Sequence, residues 1–213
     1  YVEIFTQYYD STRCFPELIK RVKIKAVFPN FITRKSMEAL AQGFEKNKFL
    51  FRITLDVLRN YKDFINMAIM GLSIKGNFDI INCHNAPTEW AACIAKIKTR
   101  IPVVWTCNEP PFWFLHHSPF KALCLPLYEL WDKLLVKKYV DKFITLDELN
   151  RERIKNIYGR ESFVIRSGID HGLFQNNAGG SIRDTYHIKY DDFILLQVGT
   201  LAGYKRQTDY LLV

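Results

Sequence analysis

Between Phe78 and Ile165 the chain repeats one plan: a short apolar run, a polar turn, then apolar residues at helical spacing. Phe78-Asp79-Ile80-Ile81-Asn82-Cys83-His84 reads as a strand, and Pro87-Thr88-Glu89 opens a helix through Trp90, Ala91, Ile94 and Ile97. Ile101 to Thr106 is the next strand, with Pro102 where a missing N–H is tolerated. Ser118-Pro119 then opens a long helix with Leu123, Leu127, Leu130, Trp131, Leu134 and Leu135 on one side, expected to face the core, and Lys133, Lys137 and Lys138 at its basic end. Asp141 to Thr145 forms another strand, Thr145-Leu146-Asp147-Glu148 has capping-box spacing, and Gly159 stops the helix that ends at Tyr158. Phe163-Val164-Ile165 closes the series. Parallel strands need crossover connections, so this alternation implies a mostly parallel sheet covered by helices on both faces: an α/β, doubly wound domain.

The flanks extend the plan. Val2 to Thr6 is strand-like, and Val22 to Phe28 alternates apolar residues with lysines, as an edge strand does. Apolar residues at helical spacing from Ser36 to about Ile74 suggest two or three helices, ended by Gly71 and Gly76-Asn77. Beyond Ser167-Gly168-Ile169-Asp170 the chain turns away, passes a linker-like stretch from Asn176 to Gly180, and forms a short helix near Ile182 to Ile188. Asp191 to Gln207 then reads as strand, loop and helix start: Phe193 to Val198 is apolar, Gly199 and Gly203 lie in the loop, and Lys205 stands where the helix begins. We expect this stretch to open a second domain. In such a unit the amides at the helix start favour anions.

Charge and cysteine usage narrow the setting. A formal net charge of +8 with a pI near 9.2 attracts polyanions of any kind, whether nucleic acid, anionic lipid or nucleotide phosphate. The five cysteines form an odd set without a C-x-x-C pair, which fits a reducing compartment. There is no apolar run near the ~18 residues of a membrane span and no signal peptide pattern. The expected location is therefore cytoplasmic, with peripheral contact at the inner membrane face. Nucleic-acid binding is not expected, because no recognised module interleaves aromatics with basic residues. The motifs of ordinary dehydrogenases, P-loop enzymes, zinc proteases and α/β-hydrolases are absent.

The candidate chemistry lies just past strand ends. Asn108 and Glu109 follow the strand ending at Thr106 and precede two prolines that fix their backbone; an exposed turn is the competing explanation. His84 and Asn85 sit similarly after Cys83, where a structural histidine is the commoner case. Gly199, Thr200 and Lys205 suit a diphosphate held by amides and a point charge, set against an ordinary solvated lysine. His116-His117 lacks partners at metal-ligand spacing, and Asp147 and Glu148 read as helix caps.

Taken together, Phe78-Asp79-Ile80-Ile81 with His84, Pro102-Val103-Val104 into Thr106-Cys107-Asn108-Glu109-Pro110, Val140 to Thr145, Ser167-Gly168-Ile169-Asp170 with Phe174, and Val198-Gly199-Thr200-Leu201 with Lys205 and Gln207 resemble, in order and spacing, the retaining GT-B glycosyltransferases of the glycosyl group 1 family, family 4 type. The resemblance implies two Rossmann-like domains facing a cleft, with the nucleotide-sugar donor held by the second and the acceptor by the first. It implies no cofactor and no catalytic metal, so positive side chains and helix N-termini would stabilise the departing nucleotide diphosphate. Lys205 matches the family's diphosphate lysine. Thr200 stands where an arginine is common, Arg206 replaces a glycine, and Asn108 replaces a histidine that contacts the transferred sugar. Asn108 would orient a hydroxyl, and Glu109 would position the acceptor or stabilise the cationic sugar; His84 and Asn85 fall on the acceptor side.

The organisation expected on this basis is an acceptor-side domain over 1–175 with its first strand ahead of Tyr1, a linker and short helix over 176–190, and a truncated nucleotide-sugar-binding domain over 191–213. Such a fragment is expected to be inactive alone. The expected partners are a nucleotide-sugar donor, a glycan, lipid-linked or small acceptor, and an anionic membrane surface. The competing functions are a non-catalytic polyanion or membrane-surface module on the same fold, and a GT-B sugar-nucleotide epimerase.

Overall fold

A computed structural model of the protein describes residues 1–7, 9, 20–27, 64–109, 119–169, 171–172, 182–196 and 199; in the helix over 119–139, side chains are described at 126 and from 128 onward. The chain divides into two compact units, Tyr1–Ser167 and Gly168–Val213. In the first, β1 (Glu3–Thr6) pairs with β2 (Lys23–Ala26), helix α1 covers residues 64–73, and an alternating series follows: β3 (Ile81–His84), α2 (Thr88–Thr99), β4 (Val103–Cys107), α3 (Pro119–Tyr139), β5 (Lys142–Thr145), α4 (Glu148–Tyr158) and β6 (Ser162–Val164). Among the described residues every strand pair is parallel, in the orders β1-β2 and β3-β4-β5-β6. The fold is α/β and Rossmann-like, as the alternation in the sequence requires.

Apolar residues of β4 and β5 supply the centre of the core. Val103, Trp105, Cys107 and Phe143 are fully buried, and Trp90, Cys93, Val136, Ile154 and Tyr158 reach them from three helices. Trp105 lies 5.8 Å from Phe143 and 5.7 Å from Tyr158 between ring centroids, a geometry favourable to aromatic pairs. Away from the candidate site, Asp141 joins neighbouring elements: its Oδ2 accepts from Val103 N at 2.7 Å and from Lys96 Nζ at 2.5 Å, and its amide donates to Val103 O at 2.9 Å. Burial alone would raise the Asp141 pKa, yet the Lys96 and Val103 hydrogen bonds hold it below the ordinary value.

Local details correct three expectations. The cap of α4 is Asp147, which accepts from Asn150 N at 2.7 Å; Thr145 is a buried strand residue paired in register with Cys107 and Val164, so it is unavailable as a cap. Gly71 lies inside α1 instead of ending it, because it is a point of close contact with α2. On α3 the face is turned: Leu130, Trp131 and Leu134 are 57%, 45% and 62% exposed, while Asp132, Leu135 and Val136 are buried. Asp132 is held inward by donors on two other helices, and that fixes which side of α3 meets the core. Most of the helices expected between Ser36 and Ile74 fall outside the described residues.

In the second unit, α5 (Ile182–Tyr186) is followed by a turn in which Arg183 donates to the carbonyls of Lys189 and Asp192. Phe193–Leu196, expected as a strand, makes no ladder and is exposed. A lone extended segment gains nothing from β geometry without a neighbour, and no other strand occurs among the described residues of this unit. The linker from Asn176 to Gly180 lies outside the described residues. None of the described helices is long and apolar enough to cross a membrane.

Candidate functional site

Parallel pairing brings the carboxyl ends of β3, β4 and β5 to one edge of the sheet. His84 stands opposite Thr106, and Cys107 opposite Thr145. In an open α/β sheet this edge is where ligands bind.

The turn after β3 is tightly specified. Asn85 has φ +61°, a left-handed conformation that asparagine tolerates better than most residues. Its amide donates to Thr106 O at 3.2 Å, which carries the sheet's pairing one residue past β3. The Thr88 hydroxyl lies 2.7 Å from the carbonyl oxygens of both His84 and Asn85, tying the turn to the start of α2. His84 and Asn85 are themselves exposed.

The turn after β4 is held from below. Cys107 Sγ donates to Glu109 O at 2.9 Å, and burial pushes its thiol up to about 12, so at neutral pH it keeps the proton it donates. Asn108 is half-buried and Glu109 exposed. Behind both turns, Thr106 Oγ1 donates to Asn82 Oδ1 at 2.9 Å, fixing β3 against β4 shortly before their ends. The structure thus brings His84, Asn85, Asn108 and Glu109 to adjacent strand ends. It adds Asn82, Thr106 and Cys107 as their supports, which the sequence analysis did not single out. The signal available was two polar residues inside otherwise apolar strands, at positions that only the pairing register makes neighbours.

Two buried acids lie close to this edge. Asp132 accepts from Trp90 Nε1 at 2.7 Å and from Tyr158 Oη at 2.6 Å. Burial pushes its carboxyl up to about 6 against the opposing pull of those hydrogen bonds. Glu89, in the first turn of α2, is fully buried and its Oε2 has no hydrogen-bond partner. Burial first, and the Asp132 charge second, raise its pKa well above the ordinary value. The negative charge therefore belongs on Asp132, which has two donors, and the proton on Glu89. Both acids are enclosed, and Asp132 ties α3 to α2 and α4.

The exposed edge offers an imidazole, two amides and one carboxylate, a set suited to hydrogen-bonding a hydroxyl-rich ligand. Gly199 is exposed in the second unit, and Thr200 and Lys205 lie outside the described residues, as do His116-His117. Among the described residues no group of three or more His, Cys, Asp or Glu side chains is arranged to hold a metal ion.

The family model described as Glycosyltransferase Family 4 matches residues 17–173, a span that includes β2 through β6 and both turns. No curated protein and no solved structure matches the chain.

Proposed function

Because the chain belongs to Glycosyltransferase Family 4, we propose that it supplies the acceptor side of an enzyme that transfers a hexose from a nucleotide diphosphate sugar to a glycan, lipid or small-molecule acceptor, with retention of anomeric configuration. The observation that carries this reading is the family match across a domain whose strand ends present Asn85, Asn108 and Glu109 on one edge.

In this reading the acceptor hydroxyl lies against the turns after β3 and β4. Asn108 orients it through its amide, and Glu109 positions the acceptor or stabilises positive charge developing on the transferred sugar. An asparagine cannot exchange protons at neutral pH, so the acceptor proton passes to the leaving phosphate on the same face of the sugar, as retention by front-side transfer requires. Gly199, Thr200 and Lys205 receive the diphosphate, with amides and one ammonium in place of a metal. No cofactor takes part.

A membrane-surface contact accompanies the proposal. Leu130, Trp131 and Leu134 are exposed on α3 beside Lys133, and Lys137 and Lys138 follow in its last turn. Apolar side chains flanked by lysines suit the boundary of an anionic bilayer, and a lipid-linked acceptor at the cytoplasmic face would be met there.

The test is a panel of nucleotide diphosphate sugars offered with acceptors to the full-length protein, reading release of nucleotide diphosphate. We expect acceptor-dependent release that falls at least about tenfold in Glu109→Ala with the fold intact. A folded protein that releases no nucleotide diphosphate from any donor overturns the proposal; salt-sensitive binding to anionic vesicles without turnover would instead favour a non-catalytic module.

A further inference from the structure

The first three residues of α2 hold it in three different ways. The Thr88 hydroxyl lies 2.7 Å from the carbonyl oxygens of both His84 and Asn85, in the turn after β3. Trp90 Nε1 reaches Asp132 on α3 at 2.7 Å. Glu89, between them, is 2% exposed, and its Oε2 has no hydrogen-bond partner. Pro87 precedes the helix and makes no side-chain cap, so the first turn of α2 depends on these side chains. The groups around the Glu89 carboxyl give it no counter-ion. Asp132 of α3, Cys83 of β3, Cys93 of α2, Cys107 of β4 and Tyr158 of α4 share its surroundings, and each is neutral or negative at neutral pH. Helix α1, over residues 64–73, has no titratable side chain. Beyond Asp132, Lys133 and Glu129 are paired with each other at 3.4 Å. Asp132 keeps its charge through two donors, which leaves a second negative charge in the same dry space uncompensated.

We infer that Glu89 is a positioning residue that acts, through Thr88, as a proton-dependent latch on the turn carrying His84 and Asn85. While it is neutral, Glu89 stays in the core, the first turn of α2 stays wound, and the Thr88 hydroxyl keeps its hold on the turn. When the proton passes to water, two carboxylates share one enclosed space. The acid without donors is the one to leave, so Glu89 swings toward solvent and Asp132 stays. Little else has to break. Glu89 is the second residue of its helix, and the backbone bonds given up are Thr88 N to Asn85 O at 3.2 Å and Trp90 N to Pro87 O at 3.1 Å. Burial, and then the Asp132 charge, oppose the loss of this proton, which sets the latch closed on the acid side and open on the alkaline side. The consequence for an acceptor rests on the function proposed above: an open latch loosens the side of the edge that His84 and Asn85 form. The latch itself does not rest on that function.

The test uses no substrate, so a failure of sugar transfer has no bearing on it. Hydrogen–deuterium exchange, corrected for the intrinsic rate at each pH, is followed from about pH 5 to about pH 9 alongside the NMR resonance of the Glu89 carboxyl carbon. At the acid end the Asn85, Thr88 and Trp90 amides should be protected and the carboxyl neutral. At the alkaline end the carboxyl should be charged and those amides should exchange within about tenfold of the unstructured rate, while Val103–Cys107 stay at least about a hundredfold slower. Glu89→Gln, which keeps the neutral form at every pH, should stay protected throughout. The native chain alone decides the question if that variant does not fold. Four results overturn the inference: a Glu89 carboxyl that is already charged at the acid end or still neutral at the alkaline end, protection that survives its ionisation, loss of protection in Val103–Cys107 to the same level, or a Glu89→Gln protein that loses protection over the same interval.

Discussion

Tyr158 donates a hydrogen bond to Asp132 at 2.6 Å, joining α4 to α3 within the core. Trp90 Nε1 brings α2 to the same carboxylate at 2.7 Å, so one buried acid brackets three helices. Tyr158→Phe leaves the ring in place and removes one donor from a buried charge. It should lower stability by about 1–3 kcal/mol in a denaturant titration, and Asp132→Ala, which strands both donors, should cost more.

The acid pair sets a pH dependence. In the folded state Glu89 is raised above its ordinary value by burial and by Asp132, and burial pushes Asp132 from 3.8 to about 6. From the ordinary carboxylate range up to these raised values the folded protein binds more protons than the unfolded one. Stability therefore falls as pH rises through that window, beginning near pH 4, and levels off above the folded values. Glu89→Gln removes its share of the slope and should be more stable than the native chain at pH 7–8 by about 1–3 kcal/mol, while differing little at pH 4. Denaturation midpoints at several pH values would check this, and parallel curves for the two proteins would contradict it.

Gly71 marks a close approach of α1 to α2. A methyl group there would stand 2.5 Å from the carbonyl oxygen of Ala91 and 2.8 Å from Ile94 Cβ. Backbone cannot yield as a flexible side chain can, so Gly71→Ala should destabilise by about 1–3 kcal/mol, against the small gain that the same change gives in an exposed helix. Thermal unfolding of the purified variant measures the sign.

Asn85 holds its left-handed turn without glycine. Asn85→Val should cost about 1–2 kcal/mol, since a β-branched side chain resists φ near +60°, whereas Asn85→Gly should keep thermal stability close to native. Equal losses in both variants would mean that the amide side chain, and not the backbone conformation, carries the turn.

The strand and helix alternation from Phe78 to Ile165 was legible because each apolar run is short and bounded by a stop: Gly159 adopts φ +65° after α4, and its amide donates to Lys155 O at 2.8 Å. The turns bearing His84, Asn85, Asn108 and Glu109 were legible for the same reason, as they follow strand ends directly. The supports behind them were not. Thr106 and Asn82 meet only through a pairing register that no local pattern states. The outward face of α3 is not legible in the sequence, because Leu130, Trp131 and Leu134 have helical spacing equal to that of a core stripe; the inward hydrogen bonds of Asp132 show which way the helix is turned. Gly71 reads as a stop in the sequence because close packing of two helices calls for the same residue as a turn does.

The central claim is transfer of a hexose with retention, and the anomeric configuration of the product tests it most directly. The full-length protein is incubated with an α-linked nucleotide diphosphate sugar and an acceptor, and the product's anomeric proton is read by NMR before it equilibrates. The account predicts an α-linked glycoside formed in step with nucleotide diphosphate release. A β-linked product would contradict retention, and no product from a folded protein across the donor panel would contradict transfer itself.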